Sequence, residues 1–141
     1  MNGKTFMINS RSLDDLTPDT KEKAKALIAG CLLEGIDLIV TSTYRDYASQ
    51  CALYDQGRKT IGKIVTNAKP GYSFHNHRVA FDVVPVVNGK AIWDDARLWS
   101  RIGAVGALAG LEWGGLWKFK DKPHFQNTGG HSIYDFLREH A

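Results

Sequence analysis

The apolar residues of this chain repeat with two different periods. After Thr17-Pro18, Ala24, Leu27, Ile28, Cys31 and Leu32 recur at three- and four-residue steps, which predicts one buried helix face. Threonine offers a capping hydroxyl, proline suits the first turn, and Gly35 ends the segment. Residues 36–43 (IDLIVTST) are rich in β-branched side chains and read as a strand. A second helix is expected over 46–56, closed by Gly57, and residues 58–72, with their glycines, lysines and Pro70, read as a loop. Residues 80–87 (AFDVVPVV) form the next strand, and Asn88-Gly89 turns it into residues 90–93. A helix over 94–110 turns Leu98, Ile102 and Val105 inward. Short strands at 111–113 and 123–126 flank a glycine pair, and a terminal helix covers 133–139. Strands and helices come in segregated order. The fold class expected is therefore α+β, with a small, mainly antiparallel sheet flanked by helices. No repeat, linker or low-complexity tract interrupts the pattern, so one domain over 1–141 is expected.

Composition narrows the classes. At 43% hydrophobic and 23% charged residues the chain is of ordinary globular type. A chain of 141 residues buries about 68–70% of its unfolded surface and needs no disulfide staples. Cys31 lies on the apolar helix face and is expected to be a reduced, buried thiol, and its spacing from Cys51 is not that of a metal knuckle. No apolar run approaches the ~18 residues of a membrane span. The opening MNGKTFMINSRSLDD lacks a signal-peptide pattern, so synthesis in the cytoplasm without the usual export is expected, with no stable membrane association. A net charge of +3 leaves nucleic acid, anionic cell-wall polymer and plain solubility open. No stacking motif or basic helix supports a nucleic-acid partner.

The chemistry starts at residues 71–85, GYSFHNHRVAFDVVP. Asp82 interrupts an apolar strand, where even a neutral polar group without partners costs about 2–7 kcal/mol. Alternation puts Ala80, Asp82 and Val84 on one face and Phe81 and Val83 behind. His75, in the preceding turn, is placed to reach the same point. A metal cation would compensate the buried carboxylate. Catalytic zinc uses three protein ligands and a water, so a third ligand is expected from a histidine on a neighbouring strand. His77, His124, His131 and His140 remain, and His124, in DKPHFQ, fits a rigid, partly apolar site best. Asp121, just before it, is either a turn residue ahead of Pro123 or the base that takes a proton from the attacking water. His77, between Asn76 and Arg78, is expected to be exposed, and His131 and His140 solvated.

The pattern Ser73-x-His75-x(4)-Ala80-x-Asp82, followed by Asp121-x-x-His124, resembles the zinc-dependent peptidoglycan peptidases. That family includes D-alanyl-D-alanine carboxypeptidases, vancomycin-resistance dipeptidases and phage L-alanyl-D-glutamate endopeptidases. TYRDYASQCALYDQGR (43–58) is similar to the family's arginine-bearing segment. AFDVVPVVNGKAIWDD, LEWGGLWKFKDKPHFQ and the opening FMINSRSLDDL look most like its phage endolysin branch. The resemblance implies one Zn²⁺ per chain held by His75, Asp82 and His124, Asp121 as general base, and Arg45 stabilising the oxyanion or holding substrate. It implies an enzyme that hydrolyses the L-alanyl-D-glutamate bond of peptidoglycan stem peptides, waiting in the host cytoplasm until the membrane is opened; a monomer is expected, with no room in this length for a separate wall-binding domain.

Simpler roles stand beside these. Arg45 instead caps locally or pairs with Asp46. Ser73 caps its turn or orients a ligand from behind, and the same choice holds for Gln50. Trp113 is a core residue, whereas Trp117 lines the groove. Lys118, Lys120 and Lys122 form a solvated basic edge. Arg78 replaces the family's usual glycine, either altering the turn or lining the cleft, and the segment 116–120, starting at Leu116, departs from the endolysin wording. The rival functions are a D-alanyl-D-alanine carboxypeptidase and a non-catalytic, zinc-stabilised wall-binding module.

Overall fold

The computed structural model describes residues 7–139, so Phe6 of the opening segment and His140 lie outside the described residues. Among these, helix α1 (Pro18–Leu33) is capped by the Thr17 side chain, which accepts from the Thr20 amide. It stops where Gly35 takes φ +78°, a left-handed conformation that suits glycine. Strand β1 (Asp37–Ser42) follows, then helix α2 (Tyr47–Asp55), whose N-cap is Asp46. Strand β2 (Ala80–Val87) turns through Asn88-Gly89 (φ 52° and 77°) into β3, which is only Lys90–Ala91 and not the longer segment expected. Helix α3 (Ala96–Leu108) is capped by Asp95. Strands β4 (Glu112–Trp113) and β5 (His124–Gln126) and helix α4 (Ile133–Glu139) complete the chain.

The sheet runs β1-β2-β5-β4, with β3 paired to β2, and every pairing is antiparallel. The fold is the α+β arrangement expected. Register puts Phe81 opposite Phe125, and Phe125 opposite Trp113, so three rings form a row across β2, β5 and β4. Their centroids are 5.9 and 6.4 Å apart and their planes nearly parallel. Helix α1 packs on β1 and on α3, and α3 lies close to β4. Leu27, Cys31, Val83, Trp99 and Ile102 are fully buried in this core. Trp99 anchors α3 more deeply than the Leu98 that helical spacing singled out. Burial pushes the Cys31 thiol up to about 11, with the Glu34 charge adding to it, so Cys31 is an inert thiol; Cys51 is exposed, and both are free.

α3 approaches the aromatic row so closely that a β-carbon on Gly106 would lie 2.4 Å from the Phe125 ring. The neighbours are rigid rings inside the core. Gly106→Ala is therefore expected to destabilise the protein by about 1–3 kcal/mol, as overpacking does. Urea denaturation checks this, and an unchanged midpoint would mean that the helix moves away freely.

Candidate metal centre

One residue along from Phe81 and Phe125, the other face of the sheet pairs Asp82 directly with His124. Directly opposed antiparallel residues hold their β-carbons about 4.5–5.5 Å apart, so the register alone brings carboxylate and imidazole together. A 3₁₀ turn, Phe74–His77, delivers His75 to the same point. Ser73 caps this turn by accepting from the His75 amide, and Asn76 Oδ1 accepts in return from the Ser73 amide. The capping role of Ser73 is thus realised. Asn76 also donates to the Arg45 carbonyl and accepts from the Gly71 amide.

The two imidazoles are oriented from behind. His75 Nδ1–H donates to the Thr43 carbonyl oxygen at 2.8 Å, which turns Nε2 towards Asp82 at 3.3 Å. His124 Nε2–H donates to Gln126 Oε1 at 2.7 Å, which leaves Nδ1 facing the same Asp82 oxygen at 3.4 Å. When the rings are neutral, both ring nitrogens that face inward therefore carry lone pairs. Asp82 Oδ1 is buried and accepts no hydrogen bond from the described residues, although the side chain as a whole keeps 24% of its surface open to the cleft. Donor atoms from His75, Asp82 and His124 lie within 4.8 Å of one another. Two nitrogen lone pairs and an orphaned carboxylate oxygen converging in this way fit a divalent cation, and two histidines with one carboxylate suit zinc. In the metal-free protein, burial pushes the Asp82 carboxyl up, but His124 and His75 more than reverse it and hold Asp82 well below the usual carboxylate range. His124 is pushed down by burial and further up by Asp82, a net rise.

Asp121 stands at the edge of this cluster, its Oδ2 3.9 Å from His124 Nδ1 and its side chain half exposed. Its backbone is pinned, since its amide donates to the Gly114 carbonyl and a β-carbon on Gly114 would lie 2.4 Å from the Asp121 carbonyl oxygen. Burial raises its carboxyl above the ordinary value, with the Asp82 charge adding to the rise and His124 opposing it. Arg45 faces the cluster from the segment between β1 and α2. Its Nη1 donates to Gln50 Oε1 at 3.0 Å, while Nε is buried with no partner among the described residues. Burial pulls the guanidinium pKa down and the Asp82 charge opposes it. Asp46 is occupied at the α2 N-terminus by the Ser49 and Ile8 amides, so the alternative Arg45–Asp46 pair is not formed. Gln50 is fully buried behind Arg45 and also donates to the Ala68 carbonyl, tying the 58–72 loop to α2.

A cleft of about 360 Å³ is lined by Arg45, Ser73, His75, Asp82, Asp121 and His124 together with Leu53, Val65 and Thr66. Three candidates stand outside its lining, Gln50 behind Arg45, Trp117 and Arg78. Trp117 lies against the His124 ring, centroids 5.1 Å apart. Arg78 adopts φ 65°, stacks on Tyr44 and donates to the Asp15 carbonyl. A side chain in this left-handed region costs roughly 1–2 kcal/mol, so of the two expected roles Arg78 takes that of altering the turn. His77 corrects the sequence reading: it is 5% exposed, and its Nε2 lies 2.8 Å from the Gly71 carbonyl oxygen. Its polar neighbours misled, since Asn76 is itself buried as the brace of the turn and Arg78 swings away. His131 is exposed, as are Lys118 and Lys120, and Trp113 packs against the core.

A family model described as D-alanyl-D-alanine carboxypeptidase matches residues 66–127, which span His75 to His124. The chain is 39% identical over 122 residues to the peptidoglycan L-alanyl-D-glutamate endopeptidase CwlK of Bacillus subtilis, covering 79% of this chain and 73% of that one. Among solved structures, the L-Ala D-Glu endopeptidase ChiX of Serratia marcescens superposes with a TM-score of 0.64 at 26% identity, over 86% of this chain and 89% of that one. A vancomycin-resistance D,D-pentapeptidase, VanY, in complex with Zn(II), shares the fold with a TM-score of 0.62 at 12% identity, over 97% and 93% of the two chains.

Proposed function

Because this chain belongs to the family of zinc-dependent peptidoglycan peptidases, we propose that it hydrolyses the L-alanyl-D-glutamate bond of stem peptides. The observation that carries hydrolysis is the convergence of His75, Asp82 and His124 within 4.8 Å, beside the carboxylate of Asp121, whose backbone is pinned to Gly114. The choice of bond rests on the two relatives named for that endopeptidase activity.

In this reading His75 Nε2, Asp82 Oδ1 and His124 Nδ1 hold one zinc ion per chain, in a monomer. Bound there, zinc supplies a Lewis acid that polarises the scissile carbonyl and makes water acidic near neutral pH. Asp121 takes the proton of the attacking water on a carboxylate oxygen and returns it to the leaving amine of the D-glutamyl residue. Burial shifts its pKa upward, the direction that suits a group acting first as base and then as acid. Arg45, braced by Gln50, turns its guanidinium to the carbonyl oxygen as negative charge develops there. Leu53 and Val65 add apolar surface to the cleft for the peptide.

The test is mass spectrometry of fragments released from purified peptidoglycan. New D-glutamyl amino termini that disappear with a chelator and return with zinc are expected. Release of D-alanine alone would instead favour the carboxypeptidase reading, which the family description and the likeness to VanY keep in view. No cleavage by the zinc-loaded protein would favour the binding module. A phage lysis role belongs to the same proposal, supported by the endolysin-like segments. Lysis of producing cells only after their membrane is permeabilised tests it.

A further inference from the structure

Behind His124, hydrogen bonds continue to a carboxylate that the proposed reaction does not use. Gln126 lies two residues on along β5, on the same face as His124, and opposite Glu112 of β4. Gln126 Nε2–H donates to Glu112 Oε2 at 2.6 Å, and Thr128 Oγ1–H donates to Glu112 Oε1 at 2.9 Å. Gln126 and Thr128 are both buried.

An amide side chain alone would not set the imidazole, since either end of it meets the ring equally well in shape. Glu112 removes the choice. An ionised carboxylate only accepts, so it draws the Gln126 amino group, and the Gln126 oxygen must then face His124. That oxygen accepts from Nε2–H and leaves the Nδ1 lone pair for the metal. We propose that Glu112, acting through Gln126, is a positioning residue of the metal centre, fixing the His124 tautomer and raising its strength as a ligand. The inference rests on the metal site proposed above and concerns how tightly that site binds, not which bond is cleaved.

The direction of each hydrogen bond supplies the test. In Glu112→Gln the carboxylate that orients Gln126 is gone. In Gln126→Glu two carboxylates face each other. In the double exchange Glu112→Gln/Gln126→Glu the chain is whole again. The carboxylate now at position 126 accepts from His124, the amide now at position 112 donates to that carboxylate, and Thr128 donates to the amide oxygen. Zinc affinity is measured by competition with a chelating dye, alongside the melting temperature of each metal-free protein. Each single variant is expected to lose about 10–100-fold in zinc affinity, the usual cost of losing a partner of a metal ligand. The double exchange is expected to return to within a few-fold of wild type. Singles that bind as wild type, or a double exchange weaker than either single, would overturn the relay while leaving the metal site intact. If a single variant fails to fold, the double exchange decides alone, against Gln126→Met, which removes both hydrogen bonds at similar volume. An affinity as low as that of Gln126→Met overturns the relay. Failure of the wild type to bind zinc would overturn the metal site and the relay together.

Discussion

Asp121→Ala is expected to keep its zinc and to lose turnover by about 10²–10⁴-fold, the range that a positioned general base contributes. The two halves of this result have separate causes. Zinc stays because Asp121 is not among the three converging donors, and because His124 is held from behind by Gln126. The loop also keeps its shape, since the contacts that pin it run through the Asp121 backbone to Gly114. Turnover falls because, among the described residues, the other carboxylate lining the cleft is that of Asp82, which the proposed function assigns to the metal. Substrate affinity changes little, so the loss is expected in kcat. Asp121→Glu should recover part of it, because it keeps a carboxylate within one methylene of the same point. The measurements are zinc content after dialysis and steady-state cleavage of a defined muropeptide. Turnover within a few-fold of wild type in the alanine variant would move the base elsewhere, and loss of zinc would make Asp121 a ligand.

The convergence of His75, Asp82 and His124 is legible in the sequence for a physical reason. Asp82 in an apolar strand is a local contradiction, and His75 seven residues earlier and His124 behind a proline are the residue types that resolve it. Helix limits were equally local: Thr17, Asp46 and Asp95 cap the first three helices with their own side chains, and Gly35 ends the first by its backbone. What stayed hidden depends on register. Nothing in the two-residue strand Glu112–Trp113 announces that Glu112 will lie opposite Gln126, because a one-residue slip would send it to the aromatic face. His77 was misread for a related reason. Asn76 is polar by type but buried by its role as a brace, and a sequence does not tell a braced asparagine from a solvated one. For Gln50 the sequence leaves a choice between capping and orienting from behind, and its contact with Arg45 favours the second.

Asp82→Asn is expected to abolish both zinc binding and cleavage, the largest effect of any single change considered. The substitution keeps the volume and the strand, so the comparison isolates charge. It replaces the carboxylate that meets both inward imidazole nitrogens at 3.3 and 3.4 Å with a neutral amide. Losing a ligand outright should exceed the roughly 10–100-fold cost of losing a partner behind one. Thermal denaturation reads the same loss independently of activity. A ligand present at roughly 1,000 times its Kd adds about 4.1 kcal/mol to the stability of the folded state. Wild-type protein should therefore melt higher with zinc than with chelator, and Asp82→Asn should melt at the same temperature in both. A variant that still gains stability from zinc, and still cleaves, would place the ion elsewhere and leave the carboxylate in the strand without its compensation. A variant that gains stability but does not cleave would separate binding from chemistry, and would assign Asp82 to tuning the ion for hydrolysis, with the two histidines sufficient to hold it.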